Sequence, residues 1–164
     1  MSSCENKLSC ILNEDIGKLI LRVSIAGLML FHGFFKLFNG IDGIKFLVTQ
    51  AGLPEFFAYG VYLGEILFPI LIIIGLFTRI SSLFFALTMV FAIFLAHSND
   101  IFALGKTGGP VIELALIYLL TSISIMFIGA GKFSLDAKCL ATTSQFTSFQ
   151  KFSKNFGLAF LVSI

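Results

Sequence analysis

Between Arg79 and Asp100 the chain carries no Asp, Glu, Lys or Arg. An α-helix needs about 20 apolar residues to cross the hydrocarbon core of a bilayer. That stretch supplies a span over Ile80 to Ala96, and three more can be drawn. They run from about Ile16 to Phe38, from Phe56 to Phe77 and from Pro110 to Ile128, with Pro110 suited to a first helical turn. In lipid only helices and closed barrels satisfy their own backbone polar groups, and runs this long and continuous are helices. The expectation is an all-α integral membrane four-helix bundle. Of 164 residues 57% are hydrophobic and 12% charged, against about 25% charged in a globular chain.

The length leaves one membrane domain, residues 16–138, with no space for a separate soluble catalytic module. A polar segment, 1–15, precedes it without a convincing cleavage site, so the first run reads as an uncleaved span. A tail, 139–164, follows. There Phe146, Phe149, Phe152, Phe156 and Phe160 recur at spacings of three and four, which reads as an amphipathic surface helix or a disordered segment. A net charge of +2 does not point to nucleic acid; the partner implied by composition is the lipid bilayer. With 21 Phe and no Trp, the interfacial aromatics are Tyr59, Tyr62 and Tyr118.

The connections carry the topology. Thr78-Arg79 joins the second and third spans in a tight antiparallel hairpin. In the first loop Ile41, Ile44, Leu47, Val48 and Ala51 fall at helical spacing, which predicts a short interfacial helix stopped by Gly52 and Pro54. Lys106-Thr107-Gly108-Gly109 lacks the order of a phosphate loop and reads as a turn. Lys7, Lys18, Arg22, Arg79, Lys132, Lys138, Lys151 and Lys154 lie on one side; Lys36, Lys45 and Lys106 lie on the other. The richer side is cytoplasmic by the positive-inside bias, so both termini are expected inside.

Five ionisable residues then fall in the outer half of the bundle: His32, Lys36, Glu65, His97 and Glu113. At 1.5 Å per residue, Glu65 lies roughly 13 Å deep, His32 roughly 9 Å and Glu113 roughly 5 Å, while His97 caps its span. A charge at mid-bilayer costs roughly 2.5–3.5 kcal/mol on insertion scales, so such residues cluster where they serve a site or fix helix register. Lys36 stands one turn from His32 on the same face, and Arg22, Ala26, Met29, Gly33 and Lys36 form one stripe. Pro69 cannot bond the Glu65 carbonyl four residues earlier, so a kink is expected beside the Glu65 carboxylate. Gly60 and Gly64 in the preceding turn allow close helix approach.

Two readings of these residues stand side by side. Glu65 with Lys36, and Glu113 with His97, are structural pairs; or the set is a proton, quinol or small-solute site. Two His and a carboxylate are ligand types of zinc, iron or copper, but no H-x-x-x-H or E-x-x-H spacing supports a metal. Cys4, Cys10 and Cys139 show no C-x-x-C and read as reduced cytoplasmic thiols. No haem, flavin or metal motif is visible.

In this order the chain resembles the DoxX family of small bacterial membrane proteins. The matching stretches are Phe31-His32-Gly33 with Lys36-Leu37, then Ala51-Gly52-Leu53-Pro54. Glu65 follows, then Gly75-Leu76-Phe77-Thr78-Arg79, His97, Glu113 and Gly129-Ala-Gly-Lys-Phe-Ser-Leu-Asp136. The resemblance implies four transmembrane helices in the bacterial inner membrane and an oxidoreductase-associated subunit. The leading expectation is a membrane subunit of a redox system that meets quinone or quinol near the outer leaflet and works with a partner redox protein. In it Glu65 and Glu113 exchange protons, His32 and His97 hydrogen-bond the quinone oxygens, and Lys36 holds the carboxylates ionised. A proton-coupled transporter or permeability factor, and a non-catalytic assembly or anchoring subunit, are the alternatives; catalysis by the chain itself stays open.

The orientation predicts that a single cysteine placed at position 45, in an otherwise cysteine-free variant, is labelled from outside intact cells. Labelling only after permeabilisation would reverse the topology.

Overall fold

The structure is a computed structural model describing residues 13–98, 101–105 and 108–139. Cys4, Cys10, Lys106 and the Phe stripe of the tail lie outside the described residues. The main elements are α1 (Glu14–Asn39), α2 (Asp42–Gln50), α3 (Glu55–Ile74), α4 (Thr78–His97) and α5 (Glu113–Ile128). A helical turn over 135–139 follows. α1, α3 and α4 are each long and apolar enough to cross a membrane; α5 is an apolar helix of 16 residues. Apart from one isolated bridge, Leu104 to Pro110, the regular structure among the described residues is helical.

Local chemistry explains the boundaries. α1 opens on Asn13, whose side chain accepts the Asp15 N–H at 2.8 Å, and Glu14 and Asp15 sit favourably at the positive end of the helix dipole. α3 ends at Gly75 in the left-handed region, φ 72°, with Gly75 and Leu76 N–H groups both returning to the Leu71 carbonyl. The connection between α3 and α4 is therefore Gly75–Phe77, and Thr78 and Arg79 already belong to α4. α5 starts at Glu113 rather than Pro110. The small hairpin of Val111 N–H to Ala103 O, 3.0 Å, and Gly105 N–H to Gly109 O, 2.7 Å, holds Pro110 outside the helix.

α3 is not one continuous α-helix. It opens as a 3₁₀ turn over Glu55–Tyr59, passes through α geometry at Gly60–Tyr62, widens to a π turn over Leu63–Leu67, and closes as α over Phe68–Ile74. Phe68 N–H bonds the Leu63 carbonyl five residues back. Pro69 follows at once, so the wide turn takes up the missing donor.

The core joins Ile25, Ala26 and Met29 of α1, Ile72 of α3, Phe85 and Met89 of α4, and Tyr118 and Ile125 of α5. The outer surface carries Phe35, Phe94 and Phe127, all exposed, as a bundle surrounded by lipid requires. The expected short helix is α2. Its Val48, with Ile41 just before the helix, packs on Ala58 of α3, while Ala51 and Phe46 face away.

Close approach decides how the helices meet. A Cβ on Gly33 would lie 2.6 Å from the Glu65 carbonyl oxygen and 3.0 Å from its carbon, so α1 rests against the backbone of the π turn. A Cβ on Gly64 would overlap the Thr88 side chain, which brings α4 in. Gly60 meets nothing within 4 Å, so it does not mediate helix contact as expected.

At the other end, two of the stretches noted in the sequence dock on each other. The Asp136 carboxylate accepts the Phe77 and Thr78 N–H groups at 2.8 and 2.9 Å and so caps α4. Phe77 is the one non-glycine residue among those described with positive φ, 48°. Arg22, fully buried, donates to the Ile72 carbonyl at 3.3 Å and to the Phe133 carbonyl at 2.6 Å. Arg79 donates to the Met126 carbonyl at 3.2 Å near the end of α5. Both arginines thus answer carbonyls at helix C-termini, where the dipole favours cations.

Two outcomes follow from this packing. Asp136→Ala is expected to lower stability by about 0.5–2 kcal/mol through the lost cap, with Asp136→Asn retaining part of it, read as melting temperature in detergent. Gly33→Ala is expected to cost about 1–3 kcal/mol by overpacking against backbone that cannot swing aside. Gly60→Ala, in open space, should be neutral or slightly stabilising; equal losses for both glycines would rule this packing out.

Candidate functional site

Glu65 sits in the middle of the π turn, 4% exposed, in a helix built almost entirely of apolar residues. The wider turn rotates its carboxylate toward α1, where Lys36 Nζ forms an ion pair with Oε1. Lys36 reaches it from the outer end of α1, one turn beyond the buried stripe of Arg22, Ile25, Ala26, Met29 and Gly33. The Glu65 side chain is 5% exposed and that of Lys36 30%, so the lysine stem spans from the interior to the surface. Glu65 Oε2 is buried with no hydrogen-bond partner.

The pair stands in the wall of a cavity of about 450 Å³ between α2, α3 and α4. Lys36, Glu65 and Thr88 are its polar side chains; the rest is apolar, including Val48 and Leu47 of α2, Phe57, Val61 and Phe68 of α3, and Phe84, Leu87 and Phe91 of α4. Thr88 spends its hydroxyl on the Phe84 carbonyl at 2.9 Å. Phe57, Leu63, Phe84, Leu87 and Phe91 are also exposed on the outside of the bundle, so the cavity borders the face that lipid covers. Gly60, without a side chain, contributes open wall. A cavity of this volume and lining has room for a small apolar group with one polar end.

α2 closes the cavity from above and is tethered there. Lys45 Nζ lies 2.9 Å from Glu55 and 5.3 Å from the centre of the Tyr59 ring. The Glu55 carboxylate, and after it the Tyr59 hydroxyl, raises Lys45 above the ordinary lysine range. Lys45 therefore stays charged at neutral pH.

The other three residues of the outer layer are placed differently. His32 is exposed and sets its ring edge-on to buried Tyr118 of α5, with centroids 6.1 Å apart. Sharing a helix face at i and i+4 does not bring it to Glu65, because the helix turns His32 toward α5 and Lys36 toward α3. His97 ends α4, half-buried. Glu113 stands exposed in the first turn of α5, its carboxylate folded over Gly109. Among the described residues no ion pair or hydrogen bond joins His97 to Glu113, and neither lines the cavity. The described residues hold no group of three His, Cys, Asp or Glu that could bind a metal ion.

Sequence reasoning missed two features. Arg22 was assigned to the charge balance of its side, yet it is buried; its place on the stripe with Ala26, Met29 and Gly33 was the available signal. The π turn had no local signal beyond Pro69.

The DoxX family model matches residues 17–98. A protein of Bacillus subtilis (strain 168) named "Putative oxidoreductase CatD" is 37% identical over 123 residues, 74% of this chain and 86% of that relative. A Haemophilus influenzae protein named as uncharacterized is 33% identical over 121 residues, 72% of this chain and 87% of its own length. No solved structure matches. The matched region runs from Gly17 in α1 to just past the end of α4 and includes both members of the buried ion pair, and the chain belongs to the DoxX family.

Proposed function

We propose that the protein is a multi-pass subunit of a membrane redox system, receiving a lipid-soluble quinone or quinol in the cavity between α2, α3 and α4. The observation that carries this reading is a buried ion pair placed in the wall of an otherwise apolar cavity beside the lipid-facing surface. The name of the Bacillus subtilis relative supports a redox setting. In this reading the ring and tail of the ligand occupy the apolar walls, and its polar head meets Lys36 and Glu65.

Interconversion of quinone and quinol moves two protons with two electrons, so a titratable group at the head is a chemical requirement. Glu65 is placed to take or give the proton, and Lys36 to donate a hydrogen bond to the oxygen. The sequence has no haem motif or dinucleotide loop, so the electrons pass between the bound quinone and a partner redox protein. With both termini inside and the bacterial inner membrane as location, the pair lies in the outer half of the bilayer. His32, His97 and Glu113 fall outside this reading of the cavity, and Glu113 and His97 stand where a partner or the headgroups reach them.

The test separates chemistry from register. A buried ion pair is often replaceable by apolar residues of similar volume without loss of stability, whereas removing one partner costs about 3–5 kcal/mol. Lys36→Met alone is therefore expected to destabilise, because it leaves the Glu65 carboxylate without a partner. Lys36→Met with Glu65→Leu is expected to fold, insert and melt near the parent, yet to fail to complement a deletion strain at matched expression. Full complementation by the double variant would move the protein to the assembly-subunit reading.

A further inference from the structure

Of the two arginines in the chain, Arg22 is buried and Arg79 is exposed. Arg79 stands at the end of the bundle away from the cavity, and its guanidinium is seated by the fold. Nη1 donates to the Met126 carbonyl at 3.2 Å. A Cβ at Gly129 would lie 3.2 Å from Nη2, 3.5 Å from Nε and 3.6 Å from Cζ, so the planar group rests against bare backbone. Gly129 has φ 80°, in the region that favours glycine, which keeps that seat open. A guanidinium has five N–H donors, and a single carbonyl leaves most of them to serve something else.

The other charges at this end are engaged. Lys18 pairs with Glu14 at 3.8 Å and Lys132 with Asp15 at 3.4 Å. The Asp136 carboxylate accepts the Phe77 and Thr78 N–H groups. Among the described residues no carboxylate forms an ion pair with Arg79. Its setting is apolar instead. Phe77 and Ile80 flank it in the chain, Phe127 and Ile128 follow Met126, and all four are exposed. Leu83 and Leu87, one and two turns along α4 on the same face, are exposed as well. A fixed cation at the foot of an apolar, lipid-facing strip is complementary to a molecule with an anion at one end of an apolar chain.

We propose that Arg79 is a docking site for an anionic phospholipid, with the phosphate on the guanidinium and an acyl chain along Leu83 and Leu87. Arginine suits the headgroup because its planar fork meets two phosphate oxygens at once. Net charge sets the preference. Phosphatidylglycerol brings a negative charge, whereas phosphatidylethanolamine carries an ammonium beside its phosphate that opposes Arg79. One basic residue near a membrane surface favours the anionic lipid by about fivefold. The site is remote from Lys36 and Glu65 and does not depend on what the cavity binds.

The experiment titrates the full chain in neutral detergent with phosphatidylglycerol or phosphatidylethanolamine and reads the first bound lipid by native mass spectrometry. The parent is expected to hold phosphatidylglycerol about fivefold tighter. Arg79→Gln, which keeps an amide donor for the Met126 carbonyl, should bring the two lipids level, and Arg79→Lys should keep part of the preference. Lys132→Gln should leave the preference intact, because Asp15 already engages that lysine. No preference in the parent, a full preference in Arg79→Gln, or equal losses in Arg79→Gln and Lys132→Gln would overturn the proposal. A second measurement needs no variant. Phosphatidylglycerol with a photoreactive diazirine in its acyl chain should mark Leu83 and Leu87 over Ile20 of α1, which is exposed near the same end. Even marking of the two helices would overturn it too.

Discussion

A polar group inside a bilayer has no water to turn to, so every one that the sequence places there must be answered by another part of the chain. In this protein the heaviest demand falls on α3. There Pro69 withholds a hydrogen-bond donor, the backbone opens into a π turn, and a carboxylate stands in the middle of that turn. Lys36 answers the carboxylate, and Gly33, for want of a side chain, lets α1 press against the Glu65 carbonyl. The arrangement of α1 against α3 follows from this. Replacing Gly33 or moving Lys36 by one residue along the helix would leave charge or backbone facing hydrocarbon.

The same rule governs the opposite end with different residues. Helix ends leave carbonyls and N–H groups without intrahelical partners. Arg22 and Arg79 cover carbonyls of α3 and α5, and Asp136 covers N–H groups of α4. Asp136 comes from the segment after α5, so the chain closes the bundle by capping a helix some sixty residues earlier. At the Lys36–Glu65 end the ion pair stands instead in the wall of a cavity.

The cavity itself arises from a small asymmetry along α3. Gly64 lets α4 in as far as Thr88, while Gly60, one turn outward, meets nothing and leaves space. α2 then covers the opening and is held over it by Lys45, Glu55 and Tyr59. Two glycines of the same spacing class thus do opposite things, and only the neighbouring helix decides which.

The helices, their order, the amphipathic α2 and the buried stripe on α1 were legible in the sequence, because hydropathy and helical periodicity are local and each residue reports on its own segment. The disturbance that Pro69 brings beside Glu65 could also be read, since it needs only the geometry of proline. The grouping of five ionisable residues into one layer could be read only as shared depth. Which of them meet depends on the rotation of each helix about its axis, and that is set by packing at Gly33, Gly64 and the core. Rotation sends Lys36 to Glu65, His32 to Tyr118, and leaves His97 and Glu113 at the rim. The carbonyls that Arg22 meets, the cap made by Asp136 and the cavity beside Glu65 belong to the tertiary structure for the same reason: each joins segments distant in the chain, and no local pattern encodes the distance between them.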